Sequence, residues 1–309
     1  MYRYKYINII LVLLFCFGCS TQKDAGINRI YHQLNTKYNG LFYAQEYLKK
    51  GVKKINDSHR DNYSETLTIF QHTDLKSAQS AQPQFDQAIK SATLAIKQHS
   101  MEIGGQEKNK LIGDAYLIIG QAKFYKQDYE AAINTFNYLI RKANNREMVV
   151  DALLWAARCH QELNNKQALE KHIYDLQENY ILTKTQRSHL LAIKADNSIN
   201  YKNYTVAKES INGFINLTKN KPQRARSYYI LGQISLFLGE HNSARDYFGK
   251  VIKGNPSYEL VFNAKLNRAK TFLPNDDNFD QLKNELEKML SDKKNKEYQD
   301  QIHFAIANM

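Results

Sequence analysis

Over residues 84–100 the apolar positions Phe85, Ala88, Ile89, Ala92 and Ile96 recur at steps of three and four, which predicts an amphipathic helix before the Gly104-Gly105 pair. Ahead of it, Ile30, Leu34 and Tyr38, then Leu41, Leu48, Val52 and Ile55, keep the same spacing, with Asn39-Gly40 placed to divide two helices. Residues 57–82 have no helical period, and the Leu67-Thr68-Ile69 alternation reads as a short extended, strand-like connection. Further on, small residues inside apolar helical stretches fall at Gly120, Ala157, Ala195 and Gly232, separated by 37, 38 and 37 residues. The same step leads to Ala269 and Ala307. A near-constant period of this length predicts an all-α solenoid of antiparallel helix pairs, each burying its apolar face on the next. Residues 84–100 are expected to serve as the second helix of the first pair. Residues 260–272 and 279–290 form a fifth pair, and residues 302–307 begin one more first helix before Met309. A repeat array normally closes on a polar capping helix, so the chain reads as a longer protein cut off in its last repeat.

Composition fits this pattern. Four Pro and 13 Gly leave few helix breakers, while 21 Tyr and 14 Phe supply apolar surface. That argues against a disordered or collagen-like chain and against a turn-rich β protein. The N-terminus stands apart: Arg3 and Lys5 precede an apolar run over residues 7–17. A helix over residues 7–18 spans about 18 Å, too short for a ~30 Å hydrocarbon core, so the stretch reads as a signal peptide. It ends in Gly18-Cys19-Ser20, which resembles the lipobox of bacterial lipoproteins, with Cys19 as the lipid attachment site. Cys16 and Phe17 depart from that pattern, and an ordinary secretory signal is the alternative. Ser20 is not the Asp that resembles an inner-membrane retention signal, and residues 21–24 lack an acidic export cluster. The resemblance therefore implies a lipid anchor at the periplasmic face of the outer membrane. The expected organisation is a signal peptide over 1–18, a lipidated tether over 19–26, helices and an irregular connection over 27–82, and the repeat array over 83–309. With Cys19 lipidated, Cys159 is the single free thiol and no internal disulfide forms.

Tyr228-x-x-Leu231-Gly232, Gly239, Ala244-x-x-x-Phe248 and Pro256 resemble the tetratricopeptide repeat, and Tyr116-x-x-Ile119-Gly120 with Ala132-x-x-x-Phe136 repeats the pattern. In such a unit the small residue lets the second helix cross close to the first, and the aromatic fills the adjoining core. Pro256 cannot continue the hydrogen-bond ladder and ends the pair. Units around Trp155, Ala157 and Ile173, and around Ala195, Tyr204, Ala207 and Ile211, match more weakly. The lipobox, then RIYHQLNTKYNGLFYA (residues 29–44), then FDQAIKSATLAIKQHS (residues 85–100), then these repeats, resemble the start of the SprE/PorW lipoproteins. The Tyr31, Tyr38, Asn39 and Gly40 spacing behind the cysteine carries most of the specificity. The resemblance implies a non-enzymatic periplasmic scaffold for type IX secretion and gliding motility, linking translocon and motor components. A different tetratricopeptide lipoprotein, such as an accessory of outer-membrane barrel assembly, and a glycan-binding or hydrolytic envelope lipoprotein remain the alternatives.

No arrangement for catalysis is present: H-E-x-x-H, a phosphate-binding glycine loop and G-x-S-x-G are all missing from the sequence. Cys159 and His160 are adjacent on a helix and point about 100° apart, so they form no nucleophile–base pair. No two histidines fall at the i,i+4 spacing of a metal site, and His99, His160 and His241 read as surface or helix-end groups. No cofactor is implied. The net charge of +12 concentrates at Lys49, Lys50, Lys53, Lys54 and Arg60, and at Lys219, Lys221, Arg224 and Arg226. These clusters suit acidic partners or a solvated face; the envelope compartment excludes nucleic acid. Function is expected on the face lined by the first helices. The register of the resemblance places Gln121, Arg158, Asp196 and Gln233 there, with Phe124, Tyr125, Tyr229 and Phe237 as aromatic anchors or inter-pair core.

Overall fold

A computed structural model describes residues 20–143, 145–272 and 279–307, without the side chains of Gln281 and Leu282. The signal segment and Cys19 lie outside the described residues. The chain is built of helix pairs. In order these are α1 (Gly26–Asn35), a π-helical turn (Thr36–Leu41), α2 (Phe42–Ser58), α3 (Leu75–His99), α4 (Ile112–Tyr125), α5 (Tyr129–Lys142), α6 (Arg146–Glu162) and α7 (Lys166–Glu178). Then follow α8 (Lys184–Asn200), α9 (Tyr204–Leu217), α10 (Lys221–Phe237), α11 (His241–Gly254), α12 (Tyr258–Ala269), α13 (Phe279–Ser291) and α14 (Gln299–Ala307). Two two-residue strands, Glu102–Ile103 and Gln106–Glu107, form a hairpin on Gly104 and Gly105, both at positive φ.

The chain divides into two compact units. Unit 1 runs through His59 and resumes over Thr73–Leu182; unit 2 comprises Arg60–His72 and everything from Thr183 onward. In each unit one contact is repeated between the members of a pair. A Cβ built on Gly120 would lie 2.3 Å from Phe136, and one on Gly232 would lie 2.6 Å from Phe248. Gly51 meets Phe85 in the same way, at 2.5 Å. The glycine removes a side chain so that the ring of the second helix can lie against the first helix's backbone. This third instance makes α2 and α3 a pair of the same kind, with α3 as its second helix.

The tight turn inside the pair repeats as well. Gln127, Asn164, Lys202 and Gly239 all have positive φ, at 64°, 53°, 56° and 73°. They recur at the 37- and 38-residue steps of the small residues. After each of the last three, an amide reaches back to the first helix: Asn165 to His160, Asn203 to Ser198 and Glu240 to Ser235, at 2.8–2.9 Å. Asn165, Asn203 and Asn220 cap the helices that follow them, and Thr183 with Gln186 forms a capping box at the start of unit 2's first helix.

Three expectations change. Helix α3 begins at Leu75, well ahead of the periodic stretch at residue 84, because Asp74 accepts the Ser77 amide as its cap (2.9 Å) and Pro83 is absorbed inside it. Asn39-Gly40 does not separate two helices: both lie in the π-helical turn that joins α1 to α2, where a Cβ on Gly40 would come within 2.3 Å of Ala95. Helix α1 and the start of the π-helical turn after it carry a polar side inward. Asn28, His32 and Thr36 are buried, whereas Ile27, Ile30, Leu34 and Tyr38 are exposed. The buried groups are bonded: Asn28 Nδ2 donates to the Ser20 and Lys23 carbonyls, His32 Nδ1 meets His99 Nδ1 at 3.0 Å, and Asn109 Nδ2 donates to Thr36 Oγ1 at 2.8 Å.

Candidate partner-binding face

Helices α8 and α10 are the first members of their pairs in unit 2, and side chains on one face of them hold the segment Arg60–His72. Gln233 brackets residue 66: its Oε1 accepts the Leu67 amide at 2.9 Å and its Nε2 donates to the Glu65 carbonyl at 2.7 Å. Asp196 takes the next two donors, the amides of Ile69 (2.6 Å) and Phe70 (2.9 Å). Arg226 donates through Nε to the Thr68 carbonyl (2.6 Å) and through both terminal nitrogens to the Asp61 carboxylate (2.6 and 2.8 Å). Three side chains thus satisfy five backbone groups, as a neighbouring strand would.

Apolar contacts complete the seat. Leu67 and Ile69, two residues apart, are both buried in the cluster built from Ala192, Ala195, Ile199, Tyr229 and Ile230. Tyr63 meets Tyr229 edge to face at 5.5 Å, and Phe70 meets His189 likewise at 5.5 Å. The Tyr229 hydroxyl accepts from Asn267 at 2.7 Å. Burial raises the ionisation of Asp196 to about 6 even though the Phe70 and Ile69 amides, His72 and Arg226 favour its charged form. Burial likewise pushes the phenols of Tyr229 and Tyr63 upward.

Of the residues placed on this face by sequence, Asp196, Tyr229 and Gln233 come together around one peptide segment. Phe237 is exposed at the end of α10, beside Tyr204 at 5.1 Å. The other four belong to unit 1. Gln121 and Tyr125 line an open cleft of about 500 Å³ with Leu48, Val52, Trp155, Lys49 and Lys53. Phe124 and Arg158 are buried, the guanidinium lying 4.6 Å from the Phe124 ring and 4.8 Å from Trp155. Sequence reasoning missed Asp61 and counted Arg226 in a basic cluster. Arg226 is in fact buried, because its charge is matched by a carboxylate 165 positions away. The Leu67-Thr68-Ile69 alternation was the one local sign of this site.

The remaining candidate chemistry sits in unit 1's core. Cys159 is buried and its thiol is pushed up to about 12 by burial. His160 is half-buried and stacks on His172 at 5.3 Å, and His99 closes α3 against buried His32. These two histidines stand in the last turns of their helices, as expected of helix-end groups, and are partly enclosed there. Among the described residues no group of three or more His, Cys, Asp or Glu is placed to hold a metal, and no helix is long and apolar enough to cross a membrane.

Two stretches of the chain match tetratricopeptide-repeat family models, residues 114–143 and residues 225–258. No curated protein sequence matches the chain. Among solved structures, the fold is similar to the apo form of the quorum sensor NprR from B. thuringiensis, with a TM-score of 0.55 at 16% identity over 99% of this chain and 87% of that one. None of these matches indicates a catalytic family. The protein is an all-α array of tetratricopeptide-type helix pairs, a fold that serves as a scaffold for protein partners.

Proposed function

We propose that this protein is a non-enzymatic scaffold lipoprotein of the type IX secretion and gliding machinery, held by lipid on Cys19 at the periplasmic face of the outer membrane. It connects translocon and motor components through protein–protein contacts and takes part in protein transport without a cofactor. The reading is supported by the resemblance of residues 29–44 and 85–100 to the SprE/PorW lipoproteins. The fold brings those two stretches into one contact: Gly40 of the first lies directly against Ala95 and the Ser91 carbonyl of the second.

Deleting the gene in the source bacterium and comparing secreted proteins with outer-membrane barrels by mass spectrometry tests the assignment. Selective loss of secreted cargo and of surface spreading, with barrels unchanged, is the expected result. General depletion of barrels would overturn it in favour of a barrel-assembly accessory. Metabolic labelling with a clickable fatty acid tests the anchor, with signal expected in the native chain and none in Cys19→Ser.

A further inference from the structure

We propose that the face of α8 and α10 is a receptor for a non-helical segment of a partner protein, and that residues 60–72 are a resident stand-in which that segment displaces. The proposal deepens the scaffold reading by naming what the partner presents.

The way the resident segment is held carries the argument. It belongs to no helix or strand and has one internal backbone bond, Glu65 amide to Asn62 carbonyl at 3.2 Å. Its register comes from Gln233, Asp196 and Arg226, which bind the Glu65 and Thr68 carbonyls and the Leu67, Ile69 and Phe70 amides. Every polypeptide carries such groups, so this part of the recognition transfers to another chain. Releasing the segment breaks no helix and no sheet.

Selectivity lies in the side chains. Arg226 is buried and two-pronged, and it asks for a carboxylate. The apolar cluster asks for two apolar side chains separated by one residue, in the places of Leu67 and Ile69. Tyr229 and His189 each offer a ring edge or face to an aromatic, as Tyr63 and Phe70 now use them. The partner segment is therefore acidic at one position, aromatic at the second and ninth positions after it and apolar at the sixth and eighth, the pattern of Asp61, Tyr63, Leu67, Ile69 and Phe70.

The test uses the full chain with residues 61–71 replaced by a Gly/Ser linker of equal length, titrated with a fluorescein-labelled peptide of residues 59–73. Saturable binding by fluorescence anisotropy is expected, at least tenfold tighter than to the intact chain, whose own segment competes. A peptide carrying Leu67→Asp and Ile69→Asp should bind at least tenfold more weakly, and Gln233→Ala in the receptor should weaken binding several-fold. A folded linker variant that ignores the peptide, or binds a scrambled one equally, overturns the proposal. If the linker variant does not fold, hydrogen exchange on the intact chain decides. Exchange of the Leu67, Ile69 and Phe70 amides ahead of the α10 core supports a displaceable segment, and exchange only on global unfolding overturns it. None of these readouts involves secretion, so failure here and failure of the type IX assignment are separately visible.

Discussion

Arg226 and Asp61, 165 positions apart, form a two-pronged ion pair whose side chains are only 10% and 11% exposed. A guanidinium so enclosed depends on its carboxylate, because removing one partner strands the other charge away from water. Asp61→Ala should cost about 3 kcal/mol by urea titration followed by circular dichroism. The paired replacement Asp61→Leu with Arg226→Met should cost less than either change alone. Additive losses would mean that the two groups stabilise unit 2 independently.

The glycine–aromatic contact inside the pairs gives opposite expectations for two glycines seventeen residues apart. At Gly232 a methyl group would meet the Phe248 ring at 2.6 Å, and that ring is fully buried. Gly232→Ala should therefore destabilise by about 2 kcal/mol, as overpacking does. Gly249 lies in the interior of α11, and a Cβ there meets nothing within 4 Å. Gly249→Ala should stabilise by about 0.5–1 kcal/mol through helix propensity. Thermal melts of the two variants should move in opposite directions.

The periodic turn yields a third expectation. Lys202 occupies the left-handed position that Gly239 fills one repeat later. A side chain there costs about 1 kcal/mol, part of which glycine gives back as backbone entropy. Lys202→Gly should raise the melting temperature slightly, and Gly239→Ala should lower it. Equal and opposite small shifts of the other sign would show that repeat context overrides the local strain.

These contacts show which features a sequence exposes. The 37- to 38-residue step, the small residues at Gly120 and Gly232 and the facing Phe136 and Phe248 are legible because the same local crossing recurs in both of those pairs. Asp196 and Gln233 were legible as members of a face, because the register of the tetratricopeptide resemblance places them there. Their occupant was not. The hydrogen bonds of residues 65–70 end on side chains 126–168 positions away, so they impose no periodicity on the segment itself. Helix α1 misled for a related reason. Asn28, His32 and Thr36 are buried through bonds to Ser20, His99 and Asn109, and a pattern read by polarity alone places such residues outside.

Cys159 offers a direct check on unit 1. Burial places its ionisation at about 12, so almost no thiolate exists at pH 8, and the sulfur is fully enclosed. Native protein should resist iodoacetamide at pH 8 for hours and react within minutes in 6 M guanidinium, measured by intact mass. Rapid labelling of the folded chain would contradict both the enclosure and the raised pKa.

The His160–His172 stack makes unit 1 acid-sensitive in a defined direction. Burial, reinforced by His160 and Lys171 and opposed by Asp175, lowers His172 to about 4, and burial lowers His160 as well. Each ring has a buried Nδ1 without a hydrogen-bond partner, so a proton added to the folded ring would be poorly accommodated. The unfolded chain binds these protons near pH 6.5, whereas the folded chain does so only at lower pH. Stability from the pair is therefore complete above 6.5 and is lost as the pH falls from there through about 4. Trp155, the one tryptophan in the chain, lies on the same helix as His160 and reports on this unit. Its fluorescence midpoint in urea should fall between pH 7.5 and 5. His172→Phe should flatten that slope, leaving the part contributed by His160, His32 and His99, whose pKa values are also lowered by burial. An unchanged slope in His172→Phe would place the acid sensitivity elsewhere and refute the pairing as its source.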